Sequence, residues 1–184
     1  MGLLARRHGR DSNPHRARTP RVWWSQDPRS DVPVVALSWP ASVIVNPELP
    51  LTGGCGCGIV RFEVTAPLAA ANYCHCTRCQ RRSGTAASAN AQPERGSFRL
   101  LSGEEKLRAW RPEGGWEKLF CAECGSAVFS RHPEDHDRMS IRMGAFDADP
   151  GIRPSVRQFV AYAAAWEPIP DDDLPRHPES ARLH

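Results

Sequence analysis

The stretch Cys74-His75-Cys76-Thr77-Arg78-Cys79 places three thiols within six residues. Packing alone gives no reason to set cysteines so close together, and a disulfide between Cys74 and Cys76 would be badly strained. A metal ion, in contrast, can collect several ligands from one tight turn. We therefore expect this turn to hold a metal ion, and we expect the rest of the chain to frame it.

Four further cysteines occur in two pairs, Cys55 with Cys57 and Cys121 with Cys124. The total of seven is odd, which excludes a complete set of disulfides, and short paired spacings are typical of metal ligands in a reducing compartment. Two such pairs supply the four thiolates of a closed structural zinc site. Since the pairs are far apart in sequence, this zinc would join two distant hairpins.

The remaining thiols, Cys74, Cys76 and Cys79, would leave one coordination position open, which is the arrangement of a catalytic zinc. Spacing alone also allows a closed site that takes two of these three thiols. We expect two zinc ions per chain. A zinc ion held by three thiolates is a weaker Lewis acid than one held by three neutral imidazoles, so it suits a sulfur ligand or an oxygen on a carbon already bonded to sulfur.

Hydrophobic patterning predicts a mainly β fold. Val60, Phe62 and Val64 alternate with Arg61 and Glu63, which is the pattern of a half-buried strand, and no long segment has a helical period. We predict strands over 59–64, 69–73, 85–91, 98–102, 107–111, 116–120, 127–130, 139–143 and 159–162. We also predict a helical turn over 77–82 closed by Gly84, and a loop or short helix over 168–175.

The charges are unevenly distributed along the chain. Residues 1–50 contain seven arginines and four acidic residues, whereas the remaining residues contain 17 basic and 17 acidic ones. We therefore divide the chain into a basic, largely disordered Arg/Pro-rich extension over 1–48, a zinc-binding catalytic domain over 49–176 and a tail over 177–184. The balanced charge of the domain argues against nucleic acid as a partner.

The longest apolar run, 32–45, is interrupted by Pro33 and Pro40 and is shorter than the roughly 20 residues that cross a membrane. Arg6-Arg7 is not followed closely by an apolar segment of the kind that a secretory signal needs. We expect a cytoplasmic protein with no membrane partner.

Several motifs surround the cysteines in a defined order. They are Gly54-Cys55-x-Cys57-Gly58-x-Val60-x-Phe62, Cys74-His75-Cys76-x-x-Cys79, Phe120-Cys121-x-x-Cys124-Gly125-Ser126, Gly144-Ala145-x-Asp147, Trp166 and Asp173-Leu174-Pro175. In order and spacing the chain resembles the glutathione-dependent formaldehyde-activating enzyme (GFA) family, which also includes centromere protein V. The resemblance extends over about residues 51 to 176 and leaves out the N-terminal fifty.

The resemblance implies an all-β, Mss4-like fold with two zinc ions. It assigns Cys55, Cys57, Cys121 and Cys124 to the structural ion. It assigns Cys74, Cys76 and Cys79 to the catalytic ion. It also implies a carbon–sulfur lyase that interconverts glutathione and formaldehyde with S-hydroxymethylglutathione. Zinc would polarise the thiol or the adduct oxygen while the pocket holds both partners together.

Other residues near the trio are candidates for contact with substrate. His75 could act as an outer-shell group or proton carrier, or it could point away from the metal and bind a backbone carbonyl. Arg78, Arg81 and Arg82 could clamp the carboxylates of a glutathione-like thiol, or they could form a solvated face.

The chain departs from the family pattern at some positions. Arg157 stands where many members have histidine, Tyr162-Ala163 where they have Ser-Lys, and Phe146 where leucine is usual. We expect these positions to lie away from the metal ligands and to line the substrate pocket. Asp147 and Asp173 are expected to cap turns.

A second function class is a non-enzymatic, zinc-bound β module that binds a protein or an anionic partner. The complete Cys74, Cys76 and Cys79 trio favours the enzyme, because a scaffold needs only the four-cysteine site.

Overall fold

The computed structural model describes residues 47–181, which form a mainly β domain with one short helix. Three single turns of 3₁₀ helix follow β5, β9 and β10. The regular elements in chain order are β1 Leu51–Gly54, β2 Arg61–Val64, β3 Leu68–Cys74, α1 Thr77–Ser83, β4 Ser88–Pro93, β5 Phe98–Ser102, β6 Leu107–Trp110, β7 Glu117–Cys121, β8 Ala127–Arg131, β9 Met139–Arg142, β10 Arg157–Gln158 and β11 Arg176–His177.

The strands form two sheets. One sheet has the order β1-β2-β5, and the other has the order β11-β10-β3-β4-β9-β8-β7-β6. Most neighbouring pairs are antiparallel, and the longest ladder joins β3 to β4 from Leu68 opposite Pro93 to Cys74 opposite Ser88. Parallel pairs occur where β10 joins β3 and β11. This order brings the end of β3, where the cysteine-rich turn begins, beside the C-terminal strands.

The hydrophobic core draws residues from both sheets. Phe62 on β2 stacks on Phe98 with 5.4 Å between ring centroids, and it meets the edge of Phe146 at 5.5 Å. Phe98 in turn contacts Phe129 of the larger sheet at 5.0 Å. The buried core residues are Leu51, Cys55, Val60, Phe62, Val64, Leu68, Ala71, Ala91, Leu119, Cys121, Val128, Phe129, Met139, Ile141 and Ala145.

The predicted alternation at the start of the domain is confirmed, since Val60, Phe62 and Val64 are all fully buried. Predicted strands at 59–64, 69–73, 98–102, 107–111, 116–120, 127–130 and 139–143 correspond to observed strands within two residues at each end. The strand predicted over 85–91 begins later, at Ser88. The prediction of a mainly β fold is correct.

β1 was not predicted, because its glycines indicated a turn. Gly53 lies in the strand and is buried, and a Cβ there would overlap the Ala145 carbonyl oxygen and the Phe62 ring. Glycine is therefore needed for close packing of the strand rather than for a turn.

The last predicted strand, 159–162, is wrong. Phe159 adopts a left-handed conformation with φ 60°, which ends the extended backbone, and Val160–Tyr162 form a 3₁₀ turn. The strand is β10, two residues earlier, and it pairs with β11 at Arg157 opposite Arg176. Residues 168–175 lie outside the helices and strands.

The basic extension predicted over 1–48 lies outside the described residues except for residues 47 and 48, and residues 182–184 of the predicted tail are also outside them. Within the described part of the chain, no helix combines the length and the apolar character that a membrane crossing requires.

Asp147, which follows β9, contacts residues of β1 and β2 instead of capping its own turn. Its carboxylate accepts hydrogen bonds from Thr52 Oγ1 at 2.7 Å and from the Arg61 guanidinium, where Nη1 to Oδ1 is 2.9 Å. These contacts hold the pKa of Asp147 down at about 2, with the Arg61 hydrogen bond as the main cause. The ion pair ties β1 and β2 to the segment that follows β9.

We expect Asp147→Asn to lower the free energy of unfolding at pH 7 by at most about 1 kcal/mol, because the pair is partly exposed. The folded-state pKa is depressed, so the stabilisation is present above the unfolded carboxyl pKa of about 4 and is lost as the pH falls toward 2. Urea unfolding of the zinc-loaded proteins at pH 7, in low salt and in about 1 M NaCl, should show the difference between the two proteins shrinking in high salt, because salt screens a partly exposed ion pair. Asp173→Asn is the control, and an equal loss there would refute the assignment.

Candidate metal centres

Two groups of thiols converge in the described structure. Cys55 and Cys57 lie on the turn between β1 and β2, and Cys121 and Cys124 lie where β7 turns into β8. All four sulfur atoms lie within 4.8 Å of one another. The Sγ atoms of Cys55 and Cys57 are 3.4 Å apart, and those of Cys57 and Cys121 are 3.8 Å apart. We call this group the four-thiol cluster.

Backbone turns shape both halves of the four-thiol cluster. The Gly58 amide donates to the Cys55 carbonyl at 3.0 Å, and the Gly125 amide donates to the Cys121 carbonyl at 2.9 Å. Gly125 has φ 74°, a conformation that favours glycine. Ser126 Oγ joins the halves, because it accepts from the Gly56 amide at 3.0 Å and from the Cys124 thiol at 3.2 Å.

The sulfur positions of the four-thiol cluster fit a zinc ion. Four sulfurs placed tetrahedrally at about 2.3 Å from zinc are separated by about 3.8 Å. The measured separations are of this size, and thiolate is the preferred donor of structural zinc sites. The four-thiol cluster could therefore hold a metal ion across two hairpins that are more than 60 residues apart in sequence.

The second group consists of Cys74, Cys76 and Cys79, whose sulfurs also lie within 4.8 Å of one another. We call it the three-thiol cluster. Cys74 is the last residue of β3, and Cys76 is the N-cap of α1, where its Sγ accepts from the Cys79 amide at 3.4 Å. Cap and first-turn positions place Cys76 and Cys79 on one side of the helix start. Gly84 closes the helix in a left-handed conformation, as predicted.

Burial differs among the three thiols. Cys74 and Cys79 are buried, whereas Cys76 is only half-buried. Hydrogen bonds with Cys74 and Cys76 lower the pKa of the Cys79 thiol to about 2; burial opposes this shift, and the charges of Arg142 and Lys118 support it. The same thiol contacts raise the pKa of Cys74. The cluster therefore favours a thiolate at Cys79, as a metal ligand requires.

His75 is buried but is not one of the clustered metal-binding groups. Its Nε2 lies 3.3 Å from Arg157 Nη1, and its Nδ1 has no hydrogen-bond partner among the described residues. Burial lowers the pKa of His75, and the charge of Arg157 acts in the same direction. The imidazole thus contacts a guanidinium instead of a backbone carbonyl.

Arg157 corrects an expectation, because it lies against the cysteine turn and not away from it. β10 pairs with β3, with Gln158 opposite Cys74. The Arg157 guanidinium forms an ion pair with Asp172 at 2.6 Å and lies 4.5 Å from the Tyr73 ring centroid. Phe146, also expected near the substrate, instead packs on Phe62 in the core.

The three arginines of α1 that were predicted to contact substrate differ in their exposure and contacts. Arg78 is exposed and donates to the Glu113 carbonyl at 3.0 Å, and Arg81 is also exposed. Arg82 is half-buried and donates to the Leu119 carbonyl at 3.2 Å. Burial lowers the pKa of Arg82, and the charge of Cys79 acts in the opposite direction.

Two cations near the three-thiol cluster were missed by sequence reasoning. Arg142 on β9 places Nη1 3.9 Å from Cys79 Sγ, and Lys118 on β7 is close enough for the Cys79 and Cys76 charges to act on its pKa. Burial lowers the pKa of Lys118 and of Arg82, in Arg82 to about 10. The sequence shows a basic residue inside each of two predicted strands, Lys118 in 116–120 and Arg142 in 139–143. It gives no indication that these two strands lie close to α1.

A family model and a solved structure match parts of this chain. A family model described as "Glutathione-dependent formaldehyde-activating enzyme" matches residues 50–162. No curated protein sequence matches the chain. A crystal structure of a Rhodobacter sphaeroides protein from a structural genomics programme is 26% identical, with 56% of this chain and 92% of that chain covered and a TM-score of 0.42. Because the family model covers more than half of the sequence, including all seven cysteines, the chain belongs to the glutathione-dependent formaldehyde-activating enzyme family.

Proposed function

We propose that this protein is a carbon–sulfur lyase that interconverts a thiol and an aldehyde with their S-hydroxyalkyl adduct. Glutathione and formaldehyde, which the family description names, are the first substrates to test. The observation that carries the proposal is the three-thiol cluster, which is separate from the four-thiol cluster and has its half-buried member at Cys76. Three protein ligands with one free position are typical of catalytic zinc.

The two clusters would have different roles, one structural and one catalytic. Cys55, Cys57, Cys121 and Cys124 would hold a structural zinc, because they supply a complete tetrahedral donor set across two hairpins. Cys74, Cys76 and Cys79 would hold the catalytic zinc. A zinc ion there would supply a Lewis acid with one position for the sulfur or oxygen of a substrate.

The proposed reaction requires mainly that the thiol and the aldehyde are held together in the right orientation. When the adduct forms, the thiol sulfur bonds to the aldehyde carbon, and the thiol proton passes to the former carbonyl oxygen, with no oxidation or reduction. Holding both partners in contact converts a bimolecular step into an effectively unimolecular one. His75, fixed by Arg157, orients the cysteine turn and presents an unpartnered Nδ1. Arg78 and Arg81, which are exposed on α1, and the half-buried Arg82 are proposed to contact substrate carboxylates.

The decisive experiment is NMR exchange spectroscopy of formaldehyde with glutathione and other small thiols, with and without the zinc-loaded protein. We expect the protein to accelerate exchange between the free thiol and its adduct and to lose this effect when the more accessible metal is chelated. Metal analysis should give two zinc ions per chain, one of which can be removed without unfolding.

A single zinc whose removal unfolds the domain, together with no acceleration for any thiol, would overturn the proposal. That result would favour the non-enzymatic β module instead.

A further inference from the structure

Arg142 is a buried cation with unused hydrogen-bonding capacity. Only 8% of its surface is exposed. Its Nη1 contacts Ser88 Oγ, Asn90 Oδ1 and the Cys79 sulfur, which is 3.9 Å away. Its Nε and Nη2 are buried and have no partner among residues 47–181. Leaving charged donors buried and unpaired is costly, so this arrangement calls for another acceptor.

Arg82 on α1 likewise has a buried donor atom without a partner in the described part of the chain. Its Nη2 donates to the Leu119 carbonyl at 3.2 Å, but its buried Nη1 has no partner in the described structure. Lys118 on β7 is opposite Ser130, which is opposite Ser140, two residues before Arg142, so Lys118 and Arg142 share one face of the sheet. Burial lowers the pKa of Lys118, and the charges of Cys79, Arg142 and Arg82 also act on it. Basic side chains from α1, β7 and β9 thus lie near Cys79, with Arg142 Nη1 in contact with its sulfur.

The positive charge of this group is not balanced by carboxylates. Among the residues that the structure describes, none of the three cations forms an ion pair with Asp or Glu, whereas Arg61, Arg131 and other basic residues do so. Three thiolates and one zinc ion would together contribute about one negative charge. Positive charge would therefore remain in excess around the cluster, and clustered cations with low-dielectric surroundings attract anions.

We propose that Arg82, Lys118 and Arg142 form an anion subsite that binds a carboxylate carried by the substrate close to the reacting sulfur–carbon bond. This inference rests on the proposed lyase function. It names a substrate class: an aldehyde with a carboxylate on the carbonyl carbon, such as glyoxylate, or a thiol with a carboxylate one carbon from sulfur, such as mercaptoacetate. Arginine donors match the two oxygens of a carboxylate, and Lys118 adds charge.

The reaction balances in the same way as with formaldehyde. A thiol adds to the aldehyde carbon of glyoxylate, one sulfur–carbon bond forms, and the thiol proton ends on the new hydroxyl oxygen. The carboxylate is unchanged by the reaction, so the subsite would only position it. A carboxylate held within two bonds of the reacting carbon would orient that carbon toward the three-thiol cluster.

The binding test separates the two possible sources of the carboxylate and does not depend on turnover. Isothermal titration of the zinc-loaded protein should show mercaptoacetate binding at least about 10-fold more tightly than 2-mercaptoethanol, as one charge-assisted contact predicts. Exchange spectroscopy should show greater acceleration with glyoxylate than with formaldehyde if the carboxylate belongs to the aldehyde. Either preference supports the subsite, and the absence of both overturns it.

Variants test the residues. Lys118→Met should reduce the preference for the carboxylate ligand by about 10-fold, and Arg142→Lys should retain more of it than Arg142→Gln. Lys106→Met removes an exposed lysine that pairs with Glu123 and is the matched control. If Lys118→Met and Lys106→Met give equal preferences, the subsite is wrong. If no aldehyde exchanges but mercaptoacetate still binds preferentially, the proposed lyase function fails while the subsite stands.

Discussion

Replacing Cys124 by alanine should unfold the β domain, although the side chain is exposed and contributes nothing to the apolar core. The expected cause is the loss of zinc from the four-thiol cluster. Structural zinc contributes roughly 10–16 kcal/mol in small peptides, which equals or exceeds the roughly 5–15 kcal/mol stability of a typical domain. Replacing an ordinary exposed cysteine changes the free energy of unfolding by about 0.5 kcal/mol or less.

The measurement is far-ultraviolet circular dichroism with thermal unfolding, combined with zinc analysis of the purified protein. Ala122→Ser is the matched control, because Ala122 is exposed on the same turn and the change leaves all four thiols in place. We expect the control to unfold at the temperature of the unchanged chain. A Cys124→Ala protein that melts cooperatively at that same temperature would remove Cys124 from the stabilising site.

Local patterns were enough to predict most of the sheet. The alternation of Val60, Phe62 and Val64 gave a strand whose buried face the structure confirms. Cysteine spacing grouped Cys55 with Cys57 and Cys121 with Cys124, and the observed clusters follow that grouping. Such predictions succeed because each depends on residues that are neighbours in sequence, or on donors that one ion can collect.

Features that depend on distant pairing were missed. β10 and β11 have two residues each, which is too short for any alternation. They form strands only because β3 provides an edge for β10, and β10 in turn pairs with β11. Phe159 ends β10 through a left-handed backbone that sequence did not indicate. The contact of Arg157 with His75 follows from this pairing, so its position beside the cysteine turn could not be predicted from spacing.

The same limitation applies to the cations of the three-thiol cluster. Lys118 and Arg142 lie on strands that are separated in the sheet by β8, and both are far in sequence from α1. A basic residue within a strand usually faces solvent. What distinguishes Arg142 is burial beside Cys79, which only the three-dimensional structure provides. The predicted metal-binding residues thus came from sequence, whereas the charge around them did not.

Replacing Cys76 by serine should abolish thiol–aldehyde exchange while leaving the domain folded. Cys76 is both a proposed zinc ligand and the N-cap of α1, where its sulfur accepts from the Cys79 amide. Serine is a favourable N-cap, so it preserves the helix start, but its hydroxyl is a poor replacement for a zinc thiolate. We expect exchange to fall by more than about 100-fold, because changes outside the ligand shell alone cost roughly 10–100-fold.

Alanine at the same position separates the two roles of Cys76. Cys76→Ala should be equally inactive, and it should also lose about 1 kcal/mol of stability from the missing cap. Both variants should retain the zinc of the four-thiol cluster and the circular dichroism spectrum of the folded domain. If Cys76→Ser exchanges normally, the three-thiol cluster does not carry the reaction. If both variants unfold as Cys124→Ala is expected to, the two clusters do not divide into one that stabilises the fold and one that performs the chemistry.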